Sequence, residues 1–425
     1  MSSTTTRYSI FPFLILLLTF VSVNQWSDMP IGNTLIINAL KFLILFVMIY
    51  EKHKNNVQLF SPPYGIVAIY LIWAVIGIIR GCYVAENYWE WKNLMTDGLM
   101  VVFPICVYTF YDPEILRRTL KVWYVWALLA YLVFFYWQTD ILQFYLGPVY
   151  FAICFIPIIP TTRWKIIFIV FCILLITTNI EDARSQFLKA VVATVICVLC
   201  LIHKFVAKWL IQLISIALII APFVFLVLAL TDEYNVFIET EDKYEGQYVS
   251  EQYKEGSFTE YDISSDTRTF IYSEVINSAI KNEYVTFGRT PARGNDTEVF
   301  YDLADEMQAT HAVENIKHER PKNEVCFPNI FTWLGIVGLL LYMGIYILAS
   351  FYGLFKSNNF YVRMCGLVTA FNFFFCWIEN TTAFDILNLT YWIFISICLS
   401  KKYREMDNDE FKTWFATIFK RPETE

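Results

Sequence analysis

Two stretches of this chain carry no charge for longer than a lipid bilayer is thick. Residues 209–231 and Cys326–Phe355 contain no Asp, Glu, Lys or Arg. At roughly 1.5 Å per helical residue, either one crosses a hydrocarbon core of about 30 Å. The 425 residues are 57% hydrophobic and 17% charged, against about 45–50% apolar and about 25% charged in soluble domains. No water-soluble fold of this size hides that much apolar surface. The fold class expected is an all-α polytopic membrane protein.

Apolar runs set against polar breaks predict about twelve transmembrane helices, near 9–25, 32–50, 62–80, 95–111, 120–137, 146–161, 165–180, 184–202, 206–230, 326–350, 360–378 and 383–400. Residues 1–230 then hold helices one to nine, 231–325 one large, partly helical loop, 326–400 helices ten to twelve, and 401–425 a tail. The first apolar run continues toward further spans without a small-residue cleavage site, so it is expected to stay in the mature protein. Placing the N-terminus inside puts Lys52, Lys54, Arg117, Arg118, Lys121, Arg163, Lys165, Lys204, Lys208, Lys356, Arg363, Lys401, Lys402 and Arg404 on one side. The short connections of the other side hold Arg80, Lys92 and Arg184. That asymmetry follows the positive-inside rule and makes both termini cytoplasmic. The long loop falls outside: residues 231–324 carry 21 Asp/Glu and 9 Lys/Arg, a net −12, which leaves +5 for the rest of a −7 chain. So large a loop in a tight bundle points to function.

Residues 231–261 show no periodicity, so an irregular stretch is expected there. A helix is predicted after Ser264–Ser265, with Phe270, Ile271, Val275, Ile276, Ala279 and Ile280 at helical spacing. A second is predicted from an Asn295–Asp296 cap through Phe300, Leu303, Met307 and His311. The turn-prone residues 288–294 between them hold Arg289 and Arg293.

Common catalytic signatures are absent: there is no P-loop, GxGxxG, HExxH or GxSxG. Cys197 and Cys200 match CxxC formally, but they sit in an apolar span with no second pair, where thiols pack as small hydrophobes. Two of the four histidines, His53 and His203, fall inside, so no metal or other cofactor is expected, and no nucleic-acid partner. More informative are outward cations on an acidic background. Arg184 stands at the outer mouth of spans seven and eight, with Lys189 about one turn deeper, and Arg268 lies in the first turn of the first loop helix. A cation there opposes the helix dipole, whereas a bound anion gains from both the free N–H groups and the guanidinium. Phosphate recognition accounts for that placement. The plainer reading pairs Arg184 with Glu181 or Asp182, and Arg268 with Asp266, as surface ion pairs of little worth.

His311 and His318 are seven residues apart and would share a face of one continuous helix. A neutral imidazole beside an acceptor can take a hydroxyl proton, worth roughly 10²–10⁴ in rate, although either histidine has an ordinary structural reading too. Lys41, in the middle of span two, costs about 2.5 kcal/mol or more in the bilayer and is expected to face inward against Asp97 or Asp140.

The pattern resembles the O-antigen ligase and O-antigen polymerase superfamily of bacterial surface-polysaccharide enzymes. The resemblance covers most of the chain as topology: about twelve spans, cytoplasmic ends and one large late loop. Ala183-Arg184-Ser185 is similar to the family's small-residue and arginine motif before a span. Asp266-Thr267-Arg268 with Ile271-Tyr272 resembles its loop arginine, and Lys281-Asn282-Glu283 leading to Phe287-Gly288 its following turn. Residues 329–339, with Gly335 and Gly338, resemble the loop exit into a Gly-x-x-Gly span. Where many relatives place a His-Asn pair about eleven residues before the first of those glycines, this chain has Glu324-Val325. That leaves Glu324, His318 and His311 as candidate bases, of which His318 is favoured for an ordinary pKa of about 6.5.

The resemblance implies metal-independent glycosyl transfer at the periplasmic face of the bacterial inner membrane. The donor would be a saccharide linked to undecaprenyl diphosphate, and the reaction the polymerisation of repeat units. The alternative is a ligase that moves glycan onto a lipid or protein acceptor. Arg184 and Arg268, with Arg289 and Arg293 behind them, would bind the diphosphate. Membrane lipid, a chain-length regulator and a flippase are the partners implied. Outer-side aromatics such as Tyr83, Tyr88, Trp89 and Trp91 would stack on sugars or form the interfacial belt. A different class, a transporter or flippase, calls for paired halves and helices broken at the midplane, and the sequence shows neither.

Overall fold

The computed structural model describes residues 10–24, 32–54, 58–132, 145–178, 184–230, 249–254, 257–262, 267–297 and 318–420. Ten helices precede the long loop: α1 (Phe11–Asn24), α2 (Thr34–Lys54), α3 (Gly65–Val84), α4 (Tyr88–Val102), α5 (Cys106–Thr109), α6 (Pro113–Ala130), α7 (Gly147–Cys154), α8 (Thr162–Thr178), α9 (Arg184–Leu201) and α10 (Lys208–Leu230). The loop contributes β1 (Val249–Lys254), β2 (Ser257–Asp262), α11 (Thr267–Lys281), β3 (Asn295–Asp296) and β4 (Glu319–Arg320). After it come α12 (Cys326–Phe355), α13 (Phe360–Phe375), α14 (Ile386–Leu399), α15 (Lys401–Glu405) and α16 (Asn408–Ala416).

Among the described residues, four helices are long and apolar enough to cross a membrane: Thr34–His53, Gly65–Val84, Lys208–Leu228 and Cys326–Phe355. A fifth span arises if Tyr88–Thr109 and Pro113–Ala130 count as one, but they are bent by 112°. The bend has a local cause. Pro104 lies in a 3₁₀ turn after α4, and Asp112 then caps α6 by accepting from the Glu114 N–H at 3.2 Å, with Pro113 at the first helical position. Four shorter apolar helices, Phe11–Asn24, Ser185–Leu201, Phe360–Phe375 and Ile386–Leu399, overlap further expected spans, whereas the expected span 146–161 holds only the eight-residue α7 and a 3₁₀ turn.

Residues on α2, α3 and α10 expose large apolar side chains such as Phe46, Ile72 and Val227. Helix α14 is instead buried along its whole length, with α1, α5, α7, α12 and α13 packed around it. A helix that is apolar on every side belongs at the centre. Residues 401–420, expected as a tail, fold back onto the bundle. Phe411 and Phe415 are fully buried, Phe411 stacks on Tyr361 with ring centroids 5.4 Å apart, and Trp414 Nε1 donates to the Pro113 carbonyl at 3.1 Å.

Three expectations are corrected. Part of the stretch expected to be irregular forms the β1–β2 antiparallel pair. Asn295–Asp296, expected as a helix cap, pairs with Arg320 and Glu319 as β3–β4, while the residues expected to form that helix, 298–311, lie outside the described residues. And the chain does contain an interrupted helix, since α12 breaks at Gly335, where φ is 68° and ψ is −172°. Residues 336–355 alone are long enough for about 30 Å, so the break lies toward the N-terminal end of α12. Residues 284–290 fill it. The Arg289 and Thr290 amides donate to the Thr332 and Trp333 carbonyls at 2.6 and 3.1 Å, and Ile336 N–H donates to the Val285 carbonyl at 2.8 Å. Trp73 Nε1 donates to the Leu334 carbonyl at 2.9 Å, while Arg80 binds the carbonyls of Phe287 and Gly288 at 2.7 and 3.2 Å. Every backbone group freed by the break that is named here has a partner, as buried backbone requires.

Candidate functional site

The short connection between α13 and α14, residues 376–385, organises the end of the bundle that carries the long loop. Asp385 caps α14, accepting from the Asn388 N–H at 2.7 Å. The first turn of α12 docks on the same connection: Cys326 N–H donates to the Glu379 carbonyl at 3.1 Å and Phe327 N–H to that of Cys376 at 3.4 Å. From α9, Gln186 Nε2 and Lys189 Nζ donate to Glu379 Oε1 at 3.0 and 2.8 Å. Lys189 Nζ also lies 2.6 Å from Glu379 Oε2, so the ammonium pairs with both carboxylate oxygens. From α11, Tyr272 donates its hydroxyl to the Trp377 carbonyl at 3.0 Å and stacks on the Trp377 ring.

The helices whose first turns carry two of the sequence-derived residues thereby anchor on the same connection. Arg184 is the first residue of α9 and Arg268 the second of α11, and both helices anchor on residues 377–379 within about one turn of those arginines. Two helices, each with an arginine in its first turn, where the helix dipole is positive, thus anchor on one segment. The side chains of Arg184 and Arg268 lie outside the described residues.

Beside this junction is a set of buried charges. Lys41, Asp97, Lys189 and Asp385 are each less than 10% exposed. Lys41 lies within electrostatic reach of Asp385 and Asp97, Asp97 of Lys322 and Lys41, and Asp385 of Lys41 and Lys189. Charges of opposite sign therefore alternate from Lys322 on the surface to Glu379. The inward-facing Lys41 has Asp97 as expected, with Asp385 added; Asp140 lies outside the described residues. A cavity of about 20 Å³, bordered by Tyr150, Lys189, Asn372 and Tyr391, has room for one water molecule.

Arg289 and Arg293 are engaged elsewhere. Arg289 reaches Asp296 at 2.7 Å, Glu319 at 3.2 Å and the Gly294 carbonyl at 2.9 Å, and Arg293 pairs with Glu319 and lies 3.7 Å from Glu90. Burial alone would raise the Asp296 carboxyl, but hydrogen bonds from Asn282 and Arg289 outweigh it and hold that carboxyl below its ordinary range. The Arg293 guanidinium is raised, chiefly by its hydrogen bonds to Glu319. Arg289 thus joins β3 to β4, and Arg293 ties β4 to Glu90 of α4. Of the candidate bases, His318 is exposed, and its carbonyl accepts from the Thr297 N–H at 3.2 Å. The Glu324 side chain is 71% exposed and faces Arg320 at 3.5 Å. His311 lies outside the described residues.

Sequence reasoning missed Glu379, Asp385 and Gln186. The available signal was that Glu379 and Asp385 are the two charges in an otherwise uncharged connection of an apolar region. Compared with protein-family models, curated proteins and solved structures, the chain matches none.

Proposed function

We propose that the protein is a membrane glycosyltransferase that takes a saccharide from a lipid diphosphate and joins it to another saccharide, polymerising lipid-linked repeat units. The observation that carries this reading is the anchoring of the Arg184 and Arg268 helices on residues 377–379. A diphosphate leaving group gains negative charge as its bond to the sugar breaks. Two arginines and the positive ends of the two helices they open would supply positive charge where it develops. In this reading the full-length and shorter apolar helices make up about twelve spans. Both termini are cytoplasmic, and the acidic loop faces the periplasm of a bacterial inner membrane.

The test is Arg184→Ala and Arg268→Ala, expressed in a host whose own copy of the gene is deleted, followed by glycan sizing. Each should abolish chain extension at unchanged membrane level, and Lys should restore it poorly because it lacks the planar fork. Normal glycan from both Ala variants would refute the reading. In the deletion host, short chains mean a polymerase, whereas full-length unattached chains mean a ligase.

A further inference from the structure

We infer that Glu379 is the carboxylate that accepts the proton of the attacking saccharide hydroxyl, held in place by Lys189 and Gln186. The inference rests on the reading above and names the group that reading leaves open. Three carboxylates, Asp97, Asp385 and Glu379, stand in the alternating series of charges, and a base must reach its substrate. Asp97 and Asp385 are both 4% exposed, whereas the Glu379 side chain is 22% exposed. Glu379 also sits against the first turn of α12 through its carbonyl and Cys326 N–H, two residues beyond the position where the sequence directs attention to Glu324. The base thus comes from the next connection along the chain, folded back over that site.

The polar surroundings fit a sugar. Gln186 Oε1 and the hydroxyls of Tyr150 and Tyr391 are buried and have no hydrogen-bond partner among the described residues, and Glu379 Oε2 beside them faces the Lys189 ammonium at 2.6 Å. Buried polar atoms are normally paired. Saccharide hydroxyls both donate and accept, so one acceptor ring can fill several of these positions at once. The charged and titratable groups facing Glu379 are Lys189 from α9, Tyr150 from α7, Tyr391 from α14 and, beyond Lys189, Asp385. Lys189 is itself held over the rings of Phe375 and Tyr391, each 5.5 Å away, which fixes the carboxylate it binds.

The step balances. The acceptor oxygen forms a bond to the anomeric carbon as that carbon's bond to the diphosphate oxygen breaks. The bonding pair leaves with the lipid diphosphate, and the hydroxyl proton passes to Glu379, which later returns it to solvent.

The experiment measures transfer from purified lipid-diphosphate-linked saccharide by Glu379→Gln, Glu379→Ala and the double variant Glu379→Gln/Lys189→Met, which removes both members of the ion pair and leaves no unpaired charge. Each should lose about 10²–10⁴-fold in rate while donor binding stays within about threefold. Added formate should restore part of the Glu379→Ala rate, a response that a merely structural carboxylate would not give. His318→Ala and Glu324→Gln should stay within a few-fold of wild type. If Glu379→Gln, or the double variant at normal membrane level, transfers within threefold of wild type, the assignment is overturned. The same holds if formate restores nothing. Arg184→Ala and Arg268→Ala run alongside: loss there with normal transfer by the Glu379 variants defeats this assignment alone, whereas normal transfer by the arginine variants defeats the proposed reaction itself.

Discussion

Replacing Gly335 by alanine should free residues 284–290 from the break in α12. Gly335 has φ 68° and ψ −172°, a region open essentially to glycine alone, in which another residue costs of order 1–3 kcal/mol. A Cβ there would also overlap the Thr286 carbonyl, so the docked arrangement cannot simply absorb the methyl group. The remaining course is to undock. That forfeits three backbone hydrogen bonds, from Arg289, Thr290 and Ile336, at about 1 kcal/mol each, and disturbs those that Arg80 makes to Phe287 and Gly288. The smallest expected cost is therefore about 3 kcal/mol, or about 10²-fold in the opening equilibrium. Hydrogen exchange read by mass spectrometry on detergent-solubilised protein gives that ratio directly: the Arg289 and Thr290 amides should exchange about 100-fold faster in Gly335→Ala. Gly98→Ala is the control, because its Cβ meets Ile78 at an ordinary 3.6 Å. Protection of both amides within about threefold of wild type in Gly335→Ala would refute the docking argument.

Arg289→Ala and Arg293→Ala should act on stability rather than on donor binding, because each leaves Glu319, whose side chain is 11% exposed, short of a partner. A loss of about 3 kcal/mol is expected, read as a lower midpoint of thermal unfolding followed by tryptophan fluorescence, with donor affinity unchanged in the folded fraction. Asp296 supplies a pH dependence. Its folded-state pKa lies below the ordinary 3.8, so its stabilising contribution is full above that value and is lost as pH falls through the folded pKa. The difference in unfolding midpoint between wild type and Asp296→Asn should be constant from pH 5 to 7 and shrink toward pH 3; a difference that grows on acidification would contradict the sign.

What the sequence revealed was local, and what it hid was paired across distance. The periodicity of Phe270 through Ile280 is enough to find α11, because an apolar stripe at helical spacing needs no partner to be recognised. Lys41 drew notice because a charge inside an apolar span is expensive wherever its partner lies. Glu379 drew none, since its meaning depends on Gln186 and Lys189, about 190 residues earlier. Asn295–Asp296 was misread for a chemical reason: the residue types that cap a helix also begin turns and strand ends, and the deciding contact is with Glu319 and Arg320. The glycine at 335 was visible but its conformation was not. A Gly-x-x-Gly in a span reads equally as close helix packing or as the one residue type that tolerates positive φ, and only the docked 284–290 segment distinguishes the two.

The alternation of buried charges bears on how the site responds to membrane voltage. Lys322, Lys41 and Lys189 stand against Asp97, Asp385 and Glu379, so their formal charges cancel. Carrying one elementary charge through 100 mV involves about 2.3 kcal/mol, but a neutral group of charges that shifts as a unit senses almost none of it. Moved together, these six charges therefore do almost no work against the potential.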